Sequence, residues 1–383
     1  MRLRKLLTIL GASVVLATTL FGGPSPGGHA QEAPPDAKAP ADAWVLSGPG
    51  GPISQLFTPS SGALFAANAS SLFRSDDGGA TWRQITLPPS SYLVEVDPTD
   101  HTVLYAAGAE GLYKSGDDAA SWTLVLPDSE NVRAIVVSPA DHNLIYAGLA
   151  GRGGAATDFR FLRSRDRGTT WEQLEEHHNS LCGWDVRLFE AHPTDASQLY
   201  RTAGCYAGRN LGDSLYASAD QGTTWAEVFK APAVYPARIV GGQGAVPGRF
   251  YLAANRDFRA GGSVLYRTDD GRAWSTLFDH QGGGTMGEPN VPNVTIGGLA
   301  YDPAEPDHLY VGLNTAFRDS SAPPAGAVDR SSDGGATWAP LGRRDLGVVH
   351  DLTLGIDGRT LYVATEQGVW QMPLPRPTGA SGG

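Results

Sequence analysis

Short apolar runs alternate with clusters of Gly, Pro, Asp and Ser along nearly the whole chain. One stretch holds Ile135-Val136-Val137, a Pro-Ala-Asp turn, Leu144-Ile145-Tyr146-Ala147-Gly148, Phe161-Leu162-Arg163-Ser164 and Trp171-Glu172-Gln173-Leu174. Each run has strand length, is rich in β-branched and aromatic residues, and is bounded by turn formers. The pattern predicts four short antiparallel strands per unit, with no sustained helical period competing.

A motif recurs six times between the third and fourth strands: Ser-x-Asp-x-Gly-x-Thr-Trp. Full copies hold Asp77 with Trp82, Asp166 with Trp171, Asp220 with Trp225 and Asp333 with Trp338. Two copies are degraded: Asp117 with Trp122 has Ala119 in place of Gly, and Asp270 reaches Trp274 one residue early. The Asp can accept backbone N–H groups of its own turn. Gly permits a positive φ, and Trp buries a large area. Nothing in that role needs a substrate, so these side chains are expected to be structural.

Repetition at this period marks a propeller. Three strands follow the sixth box, at Val348 to Leu354, Thr360 to Ala364 and Gly368 to Met372. The missing fourth is available as Ala43-Trp44-Val45-Leu46. Sharing one blade between both ends removes exposed sheet edges. The prediction is an all-β, seven-bladed β-propeller of four-stranded antiparallel blades over residues 44–374, closed by pairing the N-terminal strand with the last blade.

Residues 1–30 fall outside that fold. Arg2, Arg4 and Lys5 precede an apolar run from Leu6 to Phe21, and Gly28-His29-Ala30 offers small residues for cleavage. This reads as a signal peptide cut near Ala30. Residues 31–43 read as a Pro/Ala-rich linker and 375–383 as a disordered tail. The expected location is secreted or extracytoplasmic, in the periplasm or at the cell surface, with no stable membrane anchor after cleavage. Losing three basic residues moves the formal net charge from −11 to −14. An acidic surface repels phosphate backbones, so no nucleic acid partner is expected. Cys182 and Cys205, the two cysteines of the chain, lie near opposite ends of one predicted hairpin. Export permits a disulfide between them.

The boxes resemble those of the Asp-box, or bacterial neuraminidase repeat, superfamily, and the resemblance covers essentially all of residues 44–372. That superfamily includes sialidases, xyloglucanases, sortilin-type receptors and photosystem II assembly factors. The resemblance implies the propeller fold and leaves the function open, since members differ in activity.

Strand connectivity puts the boxes and the turns between first and second strands on one face. His101, His142 and His308 fall in those turns and read as turn residues. The long insertions lie on the opposite face: Ala150–Arg160, Gly204–Asp213, Asn255–Gly262 and Asn314–Ala327 within blades 3 to 6, with Glu175–Cys182 and His280–Asn293 joining blades. Loops on one rim of a rigid scaffold are where binding concentrates, so this face is the expected functional one. Aligning the first strands on the turn proline, or its equivalent, brings Arg133, Arg187 and Arg238 to one position near the channel mouth. Three guanidiniums there can hold a carboxylate, sulfate or phosphate. Pairing with local acids such as Asp185, Glu190 or Asp257 is the competing use. Tyr206, Arg209, Asn255 and Arg256 are candidate ligand contacts on the same rim. Glu175-Glu176-His177-His178 beside Cys182 is not taken as a metal site, because Cys182 has a better use. No metal or cofactor is expected.

Two functions fit. The first is a non-catalytic monomer that presents the rim of blades 3–6 to a protein, peptide or glycan. The photosystem II assembly factors resemble the chain in length and single-propeller build. The alternative is a glycoside hydrolase, sialidase-like or glucanase-like, with a site at the channel mouth of the same face. Sialidases use three arginines, a Tyr–Glu pair and an Asp acid. No Tyr–Glu pair can be assigned here, and the early Phe/Tyr-Arg-Ile-Pro motif is absent, the nearest string being Ala237-Arg238-Ile239-Val240. Xyloglucanases use two propellers with an Asp on each, and this sequence supplies one propeller. Asp185 and Asp351, which start the first strands of blades 4 and 7, are the best acids for hydrolysis. Together these points lean the reading away from catalysis.

Overall fold

The computed structural model describes residues 43–127, 132–150, 159–177, 189–204, 213–231, 234–243, 246–256, 261–281, 292–316 and 325–374. Among them, strands numbered β1 to β28 in chain order form seven four-stranded antiparallel blades of a propeller. Blade 1 runs from β2 (Gln55–Phe57) to β5 (Arg83–Ile85), and blade 6 from β22 (Asn293–Tyr301) to β25 (Ala339–Pro340). Blade 7 takes β26 (Val349–Leu354), β27 (Thr360–Thr365) and β28 (Gly368–Pro373). Its outer strand is β1 (Val45–Leu46), with Val45 opposite Gln371 and Leu46 opposite Trp370. The closure read from the sequence is the one observed.

First strands line the axis. β10 (Val132–Val137) touches β6 (Leu93–Val96) and β14 (Phe189–Ala191), while β22 touches β18 (Val234–Gly241) and β26. Second strands lie between neighbouring blades and are covered on both sides. β7 (Leu104–Gly108) is buried throughout, which is why such strands read as continuous apolar runs. Outer strands such as β9 (Thr123–Pro127) are largely exposed. Apolar side chains gather between adjoining blades, as where Phe65, Leu72 and Ile85 of blade 1 meet Val94, Val96 and Leu104 of blade 2. Between blades 3 and 4, Phe161 packs edge-on against Phe189 at 5.2 Å.

The box is a closed set of hydrogen bonds within one turn. Ser164 Oγ donates to Asp166 Oδ1 (2.8 Å) and accepts the Gly168 N–H (2.7 Å). Thr170 donates its N–H to Asp166 Oδ1 (2.8 Å) and its hydroxyl to Oδ2 (2.6 Å). The same bonds recur around Asp77, Asp220 and Asp333. In the degraded copies, Asp117 takes Ser121 in place of Thr, and Asp270 accepts the N–H groups of Arg272 and Ala273. Hydrogen bonds from the box threonine, joined by the box serine, hold the carboxyls of Asp77, Asp166, Asp220 and Asp333 down at about 2.

Three box tryptophans hydrogen-bond to the blade before their own, while Trp225, Trp274 and Trp338 pack edge-on against Phe161, Phe229 and Phe278 of the preceding blade. Trp122 Nε1 donates to Thr86 O (3.0 Å), Trp171 Nε1 to Val125 O (3.1 Å) and Trp82 Nε1 to Ser47 O (3.1 Å). Trp44 does the same at the closing blade, donating to Leu341 O at 2.9 Å. A cation just before the box serine reaches forward to the next box turn. Lys114 Nζ donates to Arg167 O (2.9 Å), Arg163 Nη1 to Gln221 O (2.7 Å), and Arg74 pairs with Asp118. Both devices recur in blades 1 to 3 and serve the same joint.

Candidate functional site

Four first strands carry a bulge at one equivalent position, the fifth residue from the end of each strand. The pairing skips Arg133 in β10, Ala237 in β18, Gly297 in β22 and His350 in β26. A bulge re-aims the residue that follows it. In blades 5, 6 and 7 those residues are Arg238, Gly298 and Asp351. Arg238 and Asp351 therefore hold equivalent positions on either side of Gly298. A Cβ on Gly298 would lie 2.7 Å from Leu352 N and 2.9 Å from Asp351 C, so the two flanking side chains meet where blade 6 has none.

Arg238 Nη2 lies 2.9 Å from Asp351 Oδ1, with the Arg238 side chain 36% exposed and that of Asp351 1%. Asp351 Oδ1 also accepts the Leu352 N–H (2.8 Å), and Oδ2 accepts the Leu56 N–H of blade 1 (2.9 Å). This corrects the expectation that Asp351 is an open acid. Burial pushes its carboxyl up, the guanidinium and the two N–H groups draw it back, and no oxygen is left facing a substrate. It braces blades 1, 5 and 7.

Two glutamates reach the axis from apolar first strands, Glu95 in β6 and Glu190 in β14. Glu190 is exposed to the channel, yet protein closes around it. Poor solvation pushes its carboxyl up to about 7, with Arg238 lowering it and Asp351 raising it. Glu95 is raised well above the ordinary carboxylate range, first by burial and then by repulsion from Glu190 and Asp97. Sequence reasoning weighed Glu190 only as an arginine partner and passed over Glu95. The available signal was a single acid inside Val94-Glu95-Val96 and Phe189-Glu190-Ala191.

Glu190 and Arg238 line a cavity of about 880 Å³ on the axis, open toward the face of the boxes and short turns. Glu190, Arg238 and Thr353 form its wall, and Thr99, Tyr301 and Ile356 stand nearer the rim. This cavity thus opens on the face opposite the long insertions.

Arg133 and Arg238 do not share one position of the ring. Arg133 is the exposed bulge residue of its strand, and Ala237, not Arg238, is its counterpart. Blade 5 lacks the turn proline that anchored the alignment, so the register slipped by one. Two proposed ligand contacts serve the scaffold. Asn255 clamps Ile296 of blade 6, accepting its N–H (2.8 Å) and donating to its carbonyl (3.0 Å). Asn314 repeats the clamp on Val349 of blade 7, at 2.8 Å for both bonds. Arg256 is held by Asp279 at 2.6 Å. Glu175 is bound by Arg201 at 2.7 Å, and that guanidinium stacks 4.2 Å over Trp225. Asp185, Arg187, Tyr206, Arg209, Cys182 and Cys205 lie outside the described residues, as do the signal segment, the linker up to residue 42, the tail and the centres of the long insertions.

No family profile matches the chain. A curated xyloglucanase from Paenibacillus sp is 28% identical over 254 residues, which span 62% of this chain and 24% of that protein. A second, from Acetivibrio thermocellus, is 28% identical over 249 residues, 60% of this chain and 28% of that protein. The chain thus spans about a quarter of the length of the curated relatives it matches. Among solved structures, the GH74 xyloglucanase from Xanthomonas campestris superposes with a TM-score of 0.61 at 19% identity, covering 89% of this chain and 54% of that one. YCF48 from Cyanidioschyzon merolae superposes with a TM-score of 0.57 at 14% identity, covering 88% of this chain and 100% of that one. The superpositions establish a shared fold. The curated relatives correct the lean away from catalysis, because the proteins that match this sequence are xyloglucanases. The chain is a seven-bladed β-propeller similar in sequence to part of those enzymes and in fold to one portion of the GH74 structure.

Proposed function

We propose that this propeller acts on a polysaccharide of the β-glucan class, as a glycoside hydrolase, outside the cytoplasm. The observation that carries the reading is the sequence similarity to xyloglucanases over 254 and 249 residues. The boxes support placing the chain among the Asp-box propellers. The channel supports the chemistry. A glycosidase needs an acid that stays protonated near neutral pH and a second carboxyl nearby. Glu190, which lines the cavity and is pushed up to about 7, suits the first role.

The test is a hydrolysis panel on the purified protein: xyloglucan, other β-glucans, a fluorogenic sialoside and uronic-acid polymers. New reducing ends from xyloglucan or another β-glucan, lost in Glu190→Gln, are the expected result. No turnover and no binding of any glycan would overturn the proposal.

A further inference from the structure

The seven blades close completely around the axis, because β1 pairs with β28. Glu190 and Arg238 sit on the inside of that ring. Arg238 stands four residues along its strand from Gly242, which begins the turn by donating its N–H to Arg249 O. At about 3.3 Å per strand residue, the backbone of Arg238 lies roughly 13 Å below the rim. A polymer passing over the rim cannot touch these groups from its middle. It must insert an end.

The wall also selects the chemistry of that end. The charge of Arg238 is already met by Asp351, and Glu190 lines the same cavity. Among the described residues that line the cavity Arg238 is the one cation, and an anionic sugar would find it already paired. A neutral sugar meets donors from the free N–H groups of Arg238 and an acceptor at Glu190, a pairing that adjacent hydroxyls satisfy together. Thr99 and Gln243 line the same cavity higher up. Its volume of about 880 Å³ falls within the range of small-molecule sites and takes a short oligosaccharide.

We infer that the axial cavity binds the end of a neutral glycan chain, entering from the face of the boxes and held through its hydroxyls by Arg238 and Glu190. The inference rests on the glycan reading above and narrows it to chain ends and short oligosaccharides.

Titration calorimetry with neutral β-glucan and xyloglucan chains of several defined lengths tests it. End binding gives one protein per chain at every length on this face. Ala304→Trp places a large ring at the exposed rim of the cavity, and Glu190→Ala removes the acceptor; each is expected to weaken binding by about tenfold or more, as loss of a bond to a charged group does. Circular dichroism confirms that both variants fold. A stoichiometry that rises with chain length, or affinity untouched by both substitutions, overturns the end-on site and leaves the glycan reading standing. Failure of every neutral glycan to bind overturns both. Tighter binding of oligogalacturonate than of the neutral chains overturns the choice of a neutral sugar.

Discussion

Asp351→Asn separates a brace from a catalyst. The carboxylate accepts three hydrogen bonds with its two oxygens: Leu56 N–H on Oδ2, and Leu352 N–H with Arg238 on Oδ1. An asparagine keeps one oxygen. If that oxygen stays with Leu352 and Arg238, its amide N–H₂ faces the N–H of Leu56, donor against donor. One buried backbone N–H is orphaned, at about 1–3 kcal/mol. The charge-assisted bond to Arg238 weakens to a neutral one, a loss of roughly 1 kcal/mol. Relief from burying a carboxylate offsets part of this. A net loss of about 2–3 kcal/mol remains. At about 2 °C per kcal/mol for a domain of this size, the melting temperature should fall by about 4–6 °C. Thermal unfolding followed by circular dichroism reads the change directly. An unchanged melting temperature would refute the brace, and unchanged melting with lost turnover would return Asp351 to the chemistry.

Glu190 carries its own pH signature. Its carboxyl sits at about 7 in the folded chain against an ordinary 4.5, so the folded state holds a proton that the unfolded state releases first. Stability should therefore fall as pH rises from about 4.5 to 7, and Glu190→Gln should flatten that slope; an identical pH–stability profile in the variant would refute the shift. Gly298→Ala places a methyl 2.7 Å from Leu352 N in the strand that presents Asp351. Overpacking of that kind costs about 1–3 kcal/mol, and chemical denaturation at wild-type stability would show that the two strands can part without loss.

The architecture was legible because each part of it is written locally and repeated. A box turn closes within seven residues, from Ser164 to Thr170, and the strand that opens at Trp171 follows at once. Trp44 could be matched to the box tryptophans because it stands at the head of the same kind of strand. The channel is written differently. Whether Glu95 points at the axis or into a blade depends on strand register. Arg238 and Asp351 meet across more than one hundred residues of chain, through a gap that only Gly298 leaves open. Blade 5 has no turn proline to fix that register, which is how Arg238 came to be aligned with Arg133. Asn255 looks like any polar loop residue until its amide is seen clamping both backbone groups of Ile296.

The closing strand also sets the order in which the molecule can be finished. Six blades draw their strands from consecutive chain and can form as soon as they are made. The seventh cannot, since Val45 and Leu46 are synthesised first and paired last. Until then the edge of β28 has no cover. The entropic cost of bringing such distant ends together grows only slowly with loop length, so the wait is one of timing more than of energy. A ribosome product that stops short of Met372 keeps both edges open to proteases and to other strands. The seventh blade thereby acts as a check on completeness, locking only chains that carry both of their ends.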